Sequence, residues 1–465
     1  ETDETALVNN DSSTNAKINS ISSTSILSNF SNNTWGVKIG TSTSFSPIPK
    51  LTSPINVIQT AGKTNGNEIN NIKIGMKLSD NLESGRYTNK LIFSILTNNY
   101  EHIAIMTEGP DFNTKLKALG VTTSRIEHFK KSTVAPAASM NAINIEDEAS
   151  DDEIKLWLNP TDKTAYYYTE SEKVYLNENA SSMFSGMSKL TTLDLSDFDT
   201  SKVTNMDSMF TRMSNLTTLN LSSFDTSKVV NMGSMFLGMS NLTTLNLSSF
   251  DTSQVTNMSW MFWGTSSLTT LDLSNFDTSK VTDMNYMFYG MSSLTALNLS
   301  SFDTSQVTNM RKMFSDMSNL TTLNLSSFNT SKVTNMDSMF SRMSKITTLD
   351  LSNFDTSQVT NMNDMFSYMS KLTTLDLSNF NTSNVTNMRV MFYLQDEDKV
   401  NDNLQRIYVN NDFNTTKLTD FSGMFNNRRK LRGGNGSYLA NPFTADKSWL
   451  RVDRPGVSGY FTRKP

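Results

Sequence analysis

Aspartate recurs at a fixed interval in the second half of this chain, where stacked carboxylates could bind a cation. Carboxylates about 5 Å apart repel one another, and coordination of Ca²⁺ is one way to relieve that repulsion. The alternative is that each side chain caps its own turn, which Asp and Asn do equally well. The close Asp-x-Asp and Gly pattern of calcium-binding repeats is absent from the sequence, so we favour caps and predict no metal site. The positions are Asp199, Asp225, Asp251, Asp277, Asp303 and Asp355, with Asn329 and Asn381 in the same phase.

Residue types that carry out catalysis are scarce. The sequence contains no Cys, which excludes thiolate nucleophiles and Cys-ligated zinc or iron–sulfur centres. Its two histidines, His102 and His128, lie outside the repeated region and without a recognisable nucleophile motif. We therefore predict that the protein is not an enzyme and has no catalytic residues and no cofactor.

Four aromatic residues form the strongest candidate for ligand binding. Trp260 and Tyr286 share one phase of the repeat described below, and Trp263 and Tyr289 share another, in two adjacent units. The repeat therefore predicts one patch of four rings, and exposed aromatic clusters mark binding surfaces for proteins or sugars. The alternative is that the rings only cover the core. In that case the binding surface is expected along the strand face of Thr192, Asp194 and their equivalents.

A Met-Phe pair recurs every 26 residues and defines the repeat. The tenth pair follows after 33 residues, so the last unit contains seven extra residues. Fixed periods of about 20 to 50 residues are typical of solenoids, in which each unit buries its apolar face only against its neighbours. The pairs begin at Met183, Met209, Met235, Met261, Met287, Met313, Met339, Met365, Met391 and Met424.

The spacing of apolar residues changes within each unit. Leu245 and Leu247 alternate with polar residues, as a half-buried strand requires, whereas Val255 and Met258 begin a spacing of three and four that a short helix requires. Stacking places Leu245 over Leu219 of the preceding unit, in parallel strands. The predicted fold class is an α/β solenoid with a parallel inner sheet and short helical turns, preceded by a small all-β sandwich domain.

The segments outside the repeats differ in composition. The first 28 residues are rich in Ser, Thr, Asn and Asp with few apolar anchors, and we expect them to be flexible. From Phe30 onward, apolar and polar residues alternate between Gly, Pro and Asn, which is typical of a small β-sandwich. The predicted organisation is a flexible segment at 1–28, a β-sandwich spacer at 29–99, an N-terminal cap at 100–175, the repeat solenoid at 176–426 and a C-terminal cap at 427–465.

The repeat resembles a known family. The string V-T-N-M-x-x-M-F-x-x-M-S-x-L-T-T-L-D-L-S, within Val174 to Phe461, is similar to the BspA-like, treponeme-type leucine-rich repeat in the 26-residue form found in bacterial surface proteins. Trp35-Gly36 and the stretch SGRYTN from Ser84 resemble the β-modules that accompany such repeats. The resemblance implies a right-handed leucine-rich-repeat array, an extracellular location at the bacterial cell surface, and adhesion to host cells, matrix proteins or other bacteria.

Composition narrows the choice of partners. A net charge of -5 disfavours nucleic acid, whose phosphates need clustered Lys and Arg. No apolar run of about 18 residues exists, so we predict no membrane insertion within this chain, and a start at Glu1 is expected of a processed or trimmed soluble chain. The leading hypothesis is an adhesin that binds a host or bacterial surface protein or glycan. The alternatives are a structural stalk or coat protein without a specific ligand, and a degradative enzyme whose catalytic domain lies elsewhere.

Overall fold

The computed structural model describes residues 6–9, 16–50, 71–83, 86–88, 103–120, 126–396, 398 and 401–465. The chain divides into two compact units, Glu1–Glu101 and His102–Pro465. Strands and turns dominate both units, and the described residues include one α-helix. Within these ranges, no helix is both long and apolar enough to cross a bilayer.

The first unit contains a five-stranded sheet in the order β4-β3-β2-β1-β5. β3 pairs with β2 in parallel and with β4 in antiparallel fashion. Alternation in the sequence explains the sheet, because Trp35 and Val37 project to one side and are buried with Ile18 and Ile48. The elements are β1 Leu7–Asn9, β2 Lys17–Ser20, a 3-10 helix at Leu27–Asn29, β3 Thr34–Ile39, β4 Ile72–Lys77 and β5 Tyr87–Thr88.

Part of the segment expected to be flexible belongs to this sheet. β1 and β2 lie within residues 1–28, where Ala6, Ile18 and Ile21 are buried. Few apolar anchors are enough here because strand pairing satisfies the backbone groups of the polar residues between them. The sandwich predicted at 29–99 falls partly on residues 51–70, 84–85 and 89–99, which lie outside the described residues.

The second unit begins with strands that pair with the first repeats. They form two sheets, in the orders β12-β7-β10-β9-β8 and β13-β11-β6. Since β7 pairs in parallel with β12 and β11 in parallel with β13, these strands supply the first rung of the repeat array. The elements are β6 Ala104–Ile105, α1 Gly109–Leu119, β7 His128–Lys131, a 3-10 helix at Ala138–Met140, β8 Ile143–Asn144, β9 Lys155–Asn159, β10 Thr164–Tyr168, β11 Val174–Tyr175, β12 Thr192–Leu193 and β13 Phe198–Asp199.

Parallel pairing between units continues through the array. Leu219 of β14 lies opposite Leu245 of β15, which confirms the register predicted from the 26-residue period. Isolated parallel bridges at a second position of the unit join each pair of neighbouring units from Asn179 to Asp420. At the leucine position, strands lie only at β12, β14, β15 and β16 among the described residues, so the continuous inner sheet that we expected is present only in short pieces. The remaining elements are β14 Thr218–Leu219, β15 Thr244–Leu245, β16 Thr374–Asp376, β17 Arg406–Val409, 3-10 helices at Pro442–Thr444 and Lys447–Trp449, and β18 Phe461–Arg463.

The segment around each Met-Phe pair is a run of β-turns and not the short helical turn predicted from the sequence. In the unit of Met209, Ser208 and Arg212 have φ values of +57° and +58°, in the left-handed region that a right-handed helix excludes. Their N–H groups donate to the carbonyls of Gly233 and Leu237 in the next unit, at 2.8 and 2.6 Å. Consecutive turns also space apolar residues by three or four, so the pattern did not separate them from a helix.

Identical apolar side chains stack from unit to unit and form the core. Along the column from Phe184 to Phe425, successive rings are nearly parallel, with centroids 5.1 to 6.1 Å apart and interplanar angles of 2° to 13°. Each ring is almost completely buried, which is worth roughly 1.5 to 3 kcal/mol of hydrophobic stabilisation. Because neighbouring units provide this burial, a single unit is not expected to fold alone.

A buried threonine in each unit binds the backbone of the next unit. The Oγ1 of Thr278 donates to the carbonyl of Asp303 at 2.8 Å and accepts the N–H of the same residue at 2.9 Å. The same two bonds recur in every unit from Thr200 to Thr356. This threonine column satisfies backbone groups at the boundary between units, where the bonds are partly buried.

Candidate binding surface

The variable positions of the units lie along one side of the array, which we call the turn face. It consists of the two residues before and the two residues after each Met-Phe pair. Hydrogen bonds between units fix its backbone: the N–H of Trp260 donates to the backbone carbonyl of Asn285 at 2.9 Å, and that of Tyr286 donates to the backbone carbonyl of Arg311 at 2.7 Å. Equivalent residues of successive units are therefore neighbours, as the repeat predicts.

The structure brings Trp260, Trp263, Tyr286 and Tyr289 together in one cluster, the aromatic patch. Trp260 stacks on Tyr286 with ring centroids 3.9 Å apart and an angle of 10°. Trp263 stacks on Tyr289 at 5.8 Å and 8°. Within each unit the rings are tilted, at 6.1 Å and 48° for the two tryptophans and 5.6 Å and 53° for the two tyrosines. Each ring thus contacts two of the other three.

The four rings of the patch are half-buried and lie outside the continuous hydrophobic core. Trp260 and Tyr286 have φ values of +61° and +56°, a backbone region that bulky side chains rarely occupy. Ser234 and Ser338 adopt the same conformation at the equivalent position, so the turn does not require an aromatic residue.

Cationic side chains border the patch on the side of the following unit. Lys312 Nζ lies 5.4 Å from the ring centroid of Tyr286 and 5.6 Å from that of Tyr289, within the range of cation–π attraction. The guanidinium of Arg311 lies 5.4 Å from the Tyr286 ring, and its Nε donates to Asp337 at 2.7 Å. The patch therefore combines aromatic faces with a positively charged edge.

The repeated aspartates cap their turns. The carboxylate of Asp225 accepts the hydroxyl of Ser227 at 2.7 Å and its N–H at 3.0 Å, and these bonds hold the pKa of Asp225 below its ordinary value. Among the described residues, no group of three or more His, Cys, Asp or Glu is arranged to hold a metal ion. The bond to the N–H two residues on, which confirms the predicted cap, is made by Asp199, Asp225, Asp251, Asp277, Asp303, Asn329, Asp355 and Asn381.

Of the two histidines, the structure describes only His128. His128 lies in β7 in register with Thr192, and its Nδ1 is 2.7 Å from the hydroxyl of that threonine. His128 therefore lies on the strand face, beside the first repeat strand and at the position that corresponds to Thr192. His102 lies outside the described residues.

The strand face, the alternative binding surface, carries a shallow recess of about 380 Å³ around Ala296. Ala296 stands where the neighbouring units have Thr270 and Thr322, so the missing branched side chain opens the recess. Thr192 and Asp194 are exposed near the start of this face, away from the recess. The strand face thus has a depression but not the clustered rings of the turn face.

Comparison with known proteins identifies the repeats. A family model described as "Mycoplasma protein of unknown function, DUF285" matches residues 178–271, 267–349 and 342–449, more than half of the chain. The chain belongs to the DUF285 family. No curated protein matches it. A solved structure described as the functional domain of InlJ from Listeria monocytogenes, which includes a cysteine ladder, is 16% identical, covers 51% of this chain and 63% of that chain, and has a TM-score of 0.17.

The turn face of this DUF285 protein also contains a recess that the sequence did not reveal. Arg342 lies over the Tyr368 ring, 4.0 Å from its centroid, and the rings of Tyr368 and Tyr393 meet at 67° with centroids 5.2 Å apart. The recess has a volume of about 400 Å³ and is lined by Arg342, Asn363, Asp364, Tyr368, Arg389, Val390 and Tyr393. We call it the arginine–tyrosine recess.

One sequence signal could have indicated this recess. Arg342 and Tyr368 occupy the second position after the Met-Phe pair, where four other units of the DUF285 array have glycine. The backbone there is left-handed in all of these units, so glycine is the unstrained choice and a large side chain is the exception. The four glycines are Gly186, Gly238, Gly264 and Gly290.

Proposed function

We propose that this protein is an extracellular adhesin of the bacterial cell surface, which binds a host or microbial surface protein or glycan through the aromatic patch. The observation that carries the proposal is the stack of Trp260 on Tyr286 and of Trp263 on Tyr289, half-exposed at positions where most other units have small or polar residues. Tryptophan and tyrosine supply large contact areas at low cost in side-chain entropy, and they dominate binding hot spots.

The fold that we propose for the array is a right-handed leucine-rich-repeat solenoid of the BspA-like type. The 26-residue register of its parallel pairs and the resemblance of its repeat support this assignment. Such arrays present extended surfaces on which variable residues set specificity while the core stays constant. A binding role without catalysis fits a surface whose distinctive residues are aromatic rings and cations.

Replacing the four rings together by serine tests the proposal. Serine occupies the equivalent positions at Ser234 and Ser315, so the backbone accepts it and the melting temperature should change little. Binding to cells, matrix proteins and glycans should weaken by about thirtyfold or more, because even one hot-spot side chain contributes roughly 2 kcal/mol or more. Leu237 is the residue equivalent to Trp263 in the preceding unit, so Leu237→Ser is the matched control and should bind like the wild type.

The other outcomes identify the alternatives. A sharp fall in melting temperature with unchanged adhesion per folded molecule means that the rings cover the core and that binding occurs elsewhere, on the strand face. If the wild type binds none of the cells, proteins or glycans, the stalk or coat function replaces adhesion.

A further inference from the structure

The arginine–tyrosine recess begins two units beyond the aromatic patch on the same face, and its residues are suited to a specific ligand. Tyr368 and Tyr393 form an aromatic corner of two half-buried rings at 67°. Arg342 fixes one side of that corner by lying 4.0 Å from the Tyr368 ring centroid. The recess is an open surface depression of about 400 Å³, so a ligand would contact it along one side.

Of the charged side chains that line the recess, Asp364 has hydrogen-bond partners and the Arg389 guanidinium has none among the described residues. Asp364 accepts hydrogen bonds from the hydroxyls of Ser338 and Ser341, at 3.1 and 3.3 Å. Arg389 is exposed at the edge, and among the described residues its guanidinium has no hydrogen-bond or ion-pair partner. A planar guanidinium of this kind binds carboxylates through two parallel hydrogen bonds. The recess therefore offers one free cation beside two aromatic faces.

The turns that line the recess share the backbone conformation of the other units. Arg342, Asp364, Tyr368 and Val390 line the recess with φ values of +63°, +58°, +56° and +48°, all in the left-handed region. Four other units have glycine at the position of Arg342 and Tyr368, whereas most other units have a non-glycine residue in the same conformation at the position of Asp364 and Val390.

We propose that the arginine–tyrosine recess is a second binding site, distinct from the aromatic patch, for a carboxylated sugar unit of a surface polysaccharide. The apolar C–H face of the sugar packs on the tyrosine corner, and the Arg389 guanidinium pairs with the sugar carboxylate. Asp364 and Asn363 are placed to bind its hydroxyls. The negative charge of Asp364 favours a singly charged carboxylate over a doubly charged phosphate.

The test measures binding of the full chain to acidic sugars and their neutral counterparts by calorimetry. The pairs are tetragalacturonate with its carboxyl-reduced form, and sialyllactose with lactose. At least one acidic sugar should bind about tenfold or more tightly than its neutral partner, the gain expected of a charge-assisted pair. Arg389→Gln should remove that preference, and Tyr368→Gly, which restores the residue of four other units, should weaken binding of both members of the pair. Arg212→Gln is the control for the loss of one arginine, since it removes an exposed arginine of the turn face in a distant unit, and it should bind as the wild type does.

Three results overturn the proposal. The first is no binding of either acidic sugar, and the second is equal binding of acidic and neutral partners. The third is tighter binding of an oligoglutamate peptide than of either sugar with the same dependence on Arg389, which identifies an acidic peptide as the ligand. The outcome is separable from the proposed adhesin function, because the variant with four serines in the aromatic patch should keep its affinity for the acidic sugar.

Discussion

Asp364 illustrates how one residue can oppose folding at a binding surface. Its side chain lines the arginine–tyrosine recess and accepts hydrogen bonds from Ser338 and Ser341. Burial raises the pKa of Asp364 above its ordinary value of 3.8, because removal from water disfavours the carboxylate more than the serine hydroxyls stabilise it. Asp225 is the opposite case, since the hydrogen bonds of its cap lower its pKa.

Replacing Asp364 by Asn should therefore stabilise the protein at neutral pH. A raised pKa in the folded state means that the charged form opposes folding above that pKa, and that this penalty fades as the pH falls through it. The melting temperature of Asp364→Asn should exceed that of the wild type at pH 7, and the difference should shrink under acidic conditions. Asp225→Asn is the control and should not raise the melting temperature, because its charged form favours folding. A difference for Asp364→Asn that is independent of pH contradicts this account.

The position of residues within the repeat predicts the aromatic patch of the turn face but not the arginine–tyrosine recess. The aromatic patch was predictable because its residues occupy the same two positions in adjacent units. The arginine–tyrosine recess combines Arg342, Tyr368 and Tyr393 from three successive units, and the tyrosines stand at different positions of the repeat. Bringing them together depends on the path of the turns between units, which the period alone does not specify.

At the scale of elements, the repeat length predicts which residues of neighbouring units lie side by side. It does not predict whether the chain around each Met-Phe pair forms a helix or a run of turns. The register of Leu219 with Leu245 follows from the repeat length, because equal units stack in phase. Apolar residues that recur every three or four positions fit both a helix and consecutive turns. The glycines that recur in four units directly after Met-Phe-x were the available evidence for turns, since glycine favours the left-handed conformation found there.

The threonine column gives a prediction for the boundary between units. Thr278→Val keeps the shape of the side chain but leaves the N–H and carbonyl of Asp303 without the hydroxyl that now binds both. Loss of a partner for buried polar groups costs about 1 to 3 kcal/mol, so the midpoint of chemical denaturation should fall. Thr278→Ser keeps the hydroxyl, removes one methyl group and should cost no more than about 1 kcal/mol. Equal loss in the two variants, measured side by side, would mean that the methyl group and not the hydrogen bonds stabilises the boundary.

Across the whole molecule, the stack must end without exposing its apolar columns. At the C-terminal end, the ring of Tyr460 lies 4.7 Å from that of Phe425, the last in the phenylalanine column. Arg428 is 1% exposed and donates to the carbonyl of Phe392 at 2.5 Å and to the carboxylate of Asp402 at 3.0 Å. Asp402 belongs to the longer last unit, so the extra residues there help to satisfy a buried charge at the end of the array.

Two deletions separate the role of an interior unit from that of the end. Removing residues 216–241 takes out one full period and places Phe210 next to Phe262, which keeps the phenylalanine column in phase. The product should be soluble and folded with a slightly lower melting temperature, because it loses one unit and one interface between units. Removing residues 449–461 takes away Tyr460 and Phe461, both fully buried, and leaves the column open to solvent.

We expect the second deletion to cause aggregation, because the exposed end of the array is a large apolar surface beside unpaired strands. Size-exclusion chromatography and thermal melting distinguish the two products. A soluble, cooperatively melting protein after removal of residues 449–461 would show that this segment is not the cap. An aggregated product after removal of residues 216–241 would show that the units depend on more than their immediate neighbours, contrary to the independence that the stacked columns imply.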